Sequence, residues 1–272
     1  MRQDNICMAL SLCLLLFTAG LANGGGISIE SDLTSEFTLK PGGAAEGQIV
    51  VRNNSDAPQQ VNVSQMDYSF QADGSNLYGD PGSLPRSNCK WMTVAPKRLS
   101  IPGNSKASVY FTIQTPSDQT LTGTYWSILM VEPIAEGSLE PPKQEQGKIA
   151  AGVKTIMRYA VQIVTNIGAT GSREIKIAQK QLLTDNTGYT LQLDIENTGE
   201  RWLRPYVRVE LYDAQGVLAG RFDGGRVRVY PGCSVRSQVM LGQVNAGKYT
   251  ALTLIDNGDE SVWGVQYELG LR

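Results

Sequence analysis

The sequence of 272 residues contains no histidine. That removes Ser-His-Asp and Cys-His nucleophiles, the most frequent general base and the commonest zinc ligand. Cysteine is scarce. Cys7 and Cys13 lie in a leader-like N-terminus, which leaves only Cys89 and Cys233, far apart in sequence. No Cys-based zinc cluster can form within one chain from that pair. Neither a Walker loop nor a dinucleotide fingerprint occurs. The glycine run Asn23-Gly24-Gly25-Gly26 follows no strand and does not qualify. After the leader there is no run of ~18 apolar residues, so no membrane span is expected. Net charge is −2, and no basic patch interleaved with aromatics appears, so nucleic acid is not an expected partner. Long helix-period patterns are absent as well.

The acidic residues offer little chemistry. Asp256-Asn257-Gly258-Asp259-Glu260 reads either as oxygen ligands for calcium or as a solvated hairpin turn. Asp67, Asp73 and Asp80 give no paired-carboxylate spacing of the kind glycosidases use. No catalytic residue, metal site or cofactor is assigned, and the expectation is a non-enzyme.

What is present is β-structure. Residues 1–22 read as a secretory signal peptide. Arg2 is the positive end, Ile6 to Phe17 the apolar core, and Gly20-Leu21-Ala22 a small-residue cleavage context. The mature chain of about 250 residues fits two domains. Turn-forming groups punctuate it: Lys40-Pro41-Gly42, Pro81-Gly82, Pro102-Gly103, Asp223-Gly224, Pro231-Gly232 and Asn257-Gly258. Short strands between such turns imply an all-β protein of sandwiches. The expected division is a first unit over 27–165, a short flexible linker over 166–172, and a second unit over 173–272.

Strands are expected in the first unit at Glu36–Lys40, Gly47–Arg52, Gln60–Tyr68, Trp91–Val94, Lys106–Thr112 and Thr124–Val131. A long loop is expected at Ala72–Asn88, and another, rich in Pro, Glu and Gln, at Glu132–Gly147. In the second unit they are expected at Glu174–Gln179, Tyr189–Glu196, Tyr206–Tyr212, Val217–Arg221, Arg226–Val229, Ser234–Leu241, Tyr249–Ile255 and Val262–Leu271. The units echo each other. Val51-Arg52-Asn53-Asn54-Ser55 matches Ile195-Glu196-Asn197-Thr198-Gly199, and each is followed by Pro-Gly and then by an alternating strand. Cys89 and Cys233, one per unit, stand either as free half-buried thiols or as a bridge between units. Trp91, Trp126, Trp202 and Trp263 lie in or beside expected strands, where packing competes with a sugar-binding role. Asn53 and Asn62 head Asn-x-Ser sequons, taken as incidental.

The most informative stretch is Ile149 to Thr165. Ile149, Ala151, Val153, Thr155, Met157, Tyr159, Val161 and Ile163 form one nearly continuous apolar face, a period-two pattern. Fully extended, it would span about 55 Å, against about 17–20 Å for an ordinary strand. Such a strand is an aggregation hazard if its edge stays open. Either its own domain covers it, or a partner strand pairs with it. Lys154 and Arg158 lie on the other face. They are either solvated charges or an anchor for a partner carboxylate.

The first unit resembles the N-terminal domain of periplasmic pilus assembly chaperones. The resemblance rests on Leu39-Lys40-Pro41-Gly42 leading to Ile49–Asn53, on Ala95–Gly103, and on Lys154-Thr155-Ile156-Met157-Arg158-Tyr159. It is also similar to bacterial surface immunoglobulin-like domains carrying Pro-x-Asp-x-x-x-x-Gly-x-Tyr, here Pro116-Ser117-Asp118 with Gly123-Thr124-Tyr125. The likeness covers residues 27–165. It implies two immunoglobulin-like β-sandwich domains and a periplasmic protein that assists pilus or fimbrial subunits by donor-strand complementation. It implies a pilin-like or other surface-fibre subunit as partner, with an outer-membrane usher as a second. Carried over, Ile149, Ala151, Val153, Thr155, Met157 and Tyr159 face the subunit, and Lys154 or Arg158 holds its C-terminal carboxylate. Two departures stand out. Ile27–Asp32 contains no basic residue where the family places one, and Arg158-Tyr159 runs on into Ala160-Val161. The rival expectation is a secreted or cell-surface structural or adhesive protein whose long strand is ordinary core.

Overall fold

The computed structural model describes residues 26–134 and 156–272. The leader and the Pro-, Glu- and Gln-rich stretch from 135 onward, with the start of the long alternating segment, lie outside the described residues. Among the described residues no helix is long and apolar enough to cross a membrane.

The chain is all-β and forms two sandwiches. In the first, β1 (Ile27–Ile29) and β2 (Thr34–Leu39) share the N-terminal run but join different sheets. One sheet has the order β1, β3 (Ala44–Asn53), β8 (Lys106–Gln114), β6 (Met92–Ala95). The other has the order β2, β10 (Tyr159–Ile167), β9 (Gly123–Pro133), β4 (Gln59–Phe70), β5 (Asn76–Gly79). The short β7 (Arg98–Ile101) also pairs with β4.

Alternation explains the core. On β8, Val109, Phe111 and Ile113 point inward and are buried, while Tyr110 and Thr112 point out. They meet Ile49 and Val51 of β3, Val61 and Val63 of β4, Leu129 and Val131 of β9, and Val161 and Ile163 of β10. Gly47 lies opposite Phe111 in the β3–β8 register, and a Cβ there would sit 2.3 Å from the Phe111 ring. The glycine is what lets that ring fill the centre of the sandwich, edge-on to Phe37.

In the second sandwich, one sheet has the order β11 (Ile175–Asp185), β12 (Gly188–Asn197), β15 (Ser234–Gly242). The other has the order β14 (Leu218–Arg226), β13 (Tyr206–Tyr212), β16 (Gly247–Asp256), β17 (Val262–Leu271). Leu191, Leu193, Ile195, Val207, Val209, Val239 and Ile255 are among its core residues. The strand expected at Val217–Arg221 runs on to Arg226 as β14, with register shifts against β13, and of the strand expected at Arg226–Val229 the rest forms only an isolated bridge between Val229 and Leu203. Asp223-Gly224-Gly225 is a bulge rather than a turn. A Cβ on Gly224 would lie 2.7 Å from Val239, so the missing side chain allows β14 to press close to β15.

Between the sandwiches lies a third cluster of Trp126, Val164, Trp202, Leu203, Val229, Tyr230 and Cys233. Tyr230 is stacked on Trp126 (4.8 Å between centroids) and on Trp202 (5.5 Å). The stretch expected to be flexible is tied down. Arg201 donates to the carbonyls of Gly168 and Thr170, and the Thr170 hydroxyl to that of Ile167. Cys89 and Cys233 are buried and free, not bridged. Burial raises both thiol pKa values.

Candidate functional site

β10 is covered very differently at its two ends. Along its whole length it pairs antiparallel with β9, from Tyr159 opposite Val131 to Ile167 opposite Gly123. On its other side β2 runs parallel to it only from Gln162 to Ile167. The last contact is the Gln162 N–H donating to the carbonyl of Leu33 at 2.9 Å. Strand backbone groups alternate in direction. The N–H of Gln162 points to the β2 side, so that of Ala160, two residues earlier in the same strand, points the same way. Beyond β2 that side meets no paired strand among the described residues. The start of β10 is an open edge.

The apolar residues at this edge are exposed. Ile156 is 48% exposed and Met157 58%, and Leu33, beside Gln162, is 51% exposed. Tyr159 belongs to the other regime. It is half-buried against the first core, and its hydroxyl donates to the carbonyl of Ile27 at 3.0 Å. The expected strand from Ile149 to Thr165 is therefore corrected in part. Among the described residues strand pairing begins at Tyr159 and runs on to Ile167, and Ile156, Met157 and Arg158 precede it outside the strand. Ile149, Ala151, Val153, Lys154 and Thr155 lie outside the described residues.

Among the described residues charge at this edge is sparse. Arg158 is exposed and 3.8 Å from Glu132, a long surface pair of little energetic weight. The first strand lacks a cation, but one reaches its continuation from the second sandwich. Arg228 donates to the Thr34 hydroxyl at 2.8 Å and to the Gln162 side-chain carbonyl at 3.1 Å. The Tyr230 hydroxyl donates to the same Gln162 oxygen at 2.6 Å. Burial raises the Tyr230 pKa, so that hydroxyl stays a donor.

No family model matches the chain, and no curated protein matches it. Among solved structures, the chain is similar to fimbrial chaperones. The class 5 fimbriae chaperone CfaA is 12% identical, with a TM-score of 0.46, over 89% of this chain and 98% of that one. Chaperone CupB2 of Pseudomonas aeruginosa is 12% identical, with a TM-score of 0.40, over 90% of this chain and 100% of that one. Chaperone DraB of E. coli is 14% identical, with a TM-score of 0.41, over 91% of this chain and 98% of that one.

Sequence reasoning missed two residues at the open edge. Leu33 precedes β2 in a stretch without alternation, so nothing local marked it. Arg228 lies in the second sandwich, and only the packing of Tyr230 between two tryptophans carries it to Gln162. The remaining candidates from the sequence do other work. Trp126 and Trp202 pack between the sandwiches, Trp91 and Trp263 lie partly buried against cores, and Asp259 pairs with Arg173. Asn53, the head of one sequon, is fully buried.

Proposed function

We propose that this protein is a non-enzymatic periplasmic chaperone that assists assembly of surface-fibre subunits by pairing a strand with them. The observation that carries the reading is the half-paired β10. A strand paired on one side with β9 offers, at Ala160, N–H and C=O groups on the other side that meet no paired strand among the described residues. Exposed apolar side chains stand beside it. An incomplete subunit sheet can close its own edge on that template, and main-chain bonds then supply affinity while alternate side chains supply specificity.

In this reading Met157 and the alternate residues before it, Ile149, Ala151, Val153 and Thr155, occupy the subunit's groove. Tyr159 marks the boundary at which the strand turns back to its own core. Lys154 and Arg158 steer the partner, and Arg228 takes the place of the missing first-strand cation. An outer-membrane usher would receive the loaded subunit. Residues 27–165 and 173–272 act as two domains, with the second holding the frame against which β10 is presented.

Met157→Asp is the discriminating variant. Affinity-tagged protein isolated from periplasm should bring down one subunit per chain. Met157→Asp should reduce that recovery at least tenfold and leave the melting temperature of the free protein within about 2 °C. The rival, a surface or secreted structural protein with ordinary core there, requires the opposite. The variant would then unfold the free chain, and the unaltered protein would hold no stoichiometric partner.

A further inference from the structure

Where the second sandwich meets β2, a cleft of about 380 Å³ is lined by Arg173, Arg201, Arg204 and Arg226, with Trp202 and Asn257. Among the described residues two carboxylates share it, Glu36 and Asp259. The chain as a whole is net negative, so this concentration of guanidinium runs against its average. We propose that the cleft binds a dianionic oxyanion of the phosphate-monoester class. The site does not involve the open edge of β10 and stands whether or not that edge donates a strand.

Three of the four guanidiniums are tied by a hydrogen bond or an ion pair, and the fourth lies over an aromatic ring. Arg173 pairs with Asp259 at 3.2 Å, and Arg201 is fixed by the carbonyls of Gly168 and Thr170. Arg226 donates to the carbonyl of Arg204 at 2.7 Å. The Arg204 side chain lies over Trp202, 5.6 Å from the ring centroid, and its backbone N–H donates to Asn257. Each guanidinium carries five donors in a planar fork, and these contacts leave most of them available. These contacts restrict the side chains before any ligand arrives, which lowers the entropic cost of binding.

The charge count selects the ligand. Glu36 is occupied, accepting from Asn166 at 2.6 Å and from the Trp202 indole at 3.1 Å. Asp259 is occupied by Arg173. Four cations against two anions leave an excess that a dianion matches and a single carboxylate does not. Several forks around one cleft also suit the many oxygens of a phosphate group. Burial, and then the like charge of Arg173, push the Arg201 guanidinium below its ordinary range. An anion seated here relieves that repulsion.

Calorimetric titration of the mature protein with inorganic phosphate, at pH 8 and constant ionic strength, tests the site against acetate. The expected result is saturable phosphate binding at least tenfold tighter than acetate. Arg204→Gln and Arg226→Gln should each weaken it at least fivefold, and Arg208→Gln, on β13 away from the cleft, by less than twofold. Equal affinity for acetate, or equal weakening in all three variants, would overturn the proposal. The unaltered protein gives an independent reading. Its Trp202 indole N–H resonance should shift and saturate as phosphate is added, and a resonance that does not move would also overturn it.

Discussion

Asn53 and Asn197 do the same work in the two sandwiches. Each ends a strand, each is fully buried, and each side-chain amide donates to a carbonyl at or just ahead of a Pro-Gly turn. Asn53 reaches Ile101 and Pro102, and Asn197 reaches Val229. The echo seen in the sequence is thus a shared structural device: a buried amide ties a strand end to the turn that starts a later strand. Asp67 is a second buried tie. It accepts from the N–H groups of Gly82 and Leu84 and the hydroxyls of Ser83 and Ser87, which pins the loop after β5 onto β4. Burial alone would raise its pKa, but the bonds from Ser87, Leu84 and Gly82 outweigh it, and the net shift is downward. A carboxyl lowered in the folded state stabilises above its unfolded pKa and loses that contribution as pH falls through the folded value. Asp67→Asn should therefore cost about 1–3 kcal/mol at pH 7, and the difference from the unaltered protein should shrink at about pH 2–3. Urea denaturation at the two pH values measures it. A cost that stays constant with pH would contradict this role.

The strands themselves were largely legible, because turn residues and period-two alternation are local signals. Tyr206–Tyr212 and Val262–Leu271 form as the pattern indicates. β5 was not legible. Asn76-Leu77-Tyr78-Gly79 lies in a Gly-, Ser- and Asn-rich stretch, and its order comes from Tyr78 stacking on Tyr68 across the hairpin. Nor was the point at which β10 becomes covered. Alternation runs unbroken from Ile149 to Thr165, whereas coverage depends on where β2 begins, which is set by the crossing of the N-terminal run from one sheet to the other. Tyr159 is the residue on which that boundary turns. Tyr159→Phe removes the bond to Ile27 and should cost about 1 kcal/mol of stability in thermal or urea melts. No change would show that β1 does not help to hold the start of β10.

At the scale of the whole molecule, the aromatic stack decides how the sandwiches sit. Tyr230 comes from the second sandwich, Trp126 from the first, and the Gln162 amide of β10 accepts the tyrosine hydroxyl. This was only half legible: the tryptophans read as packing residues, but their shared partner and their place between the units depend on contacts between residues distant in sequence. Tyr230→Ala should cost about 3–5 kcal/mol. In calorimetry it should split one unfolding transition into two. A single transition in the variant would mean that the junction does not couple the units. The same frame presents the open edge, so the central claim is that Ala160 has free backbone groups that a subunit strand captures. Residue-resolved hydrogen exchange, on the free protein and on the complex recovered from periplasm, tests it most directly. The account predicts that the Ala160 amide exchanges at least a hundredfold faster than Gln162 in the free protein and becomes protected in the complex. Protection of Ala160 in the free protein, or unchanged exchange on binding, would contradict it.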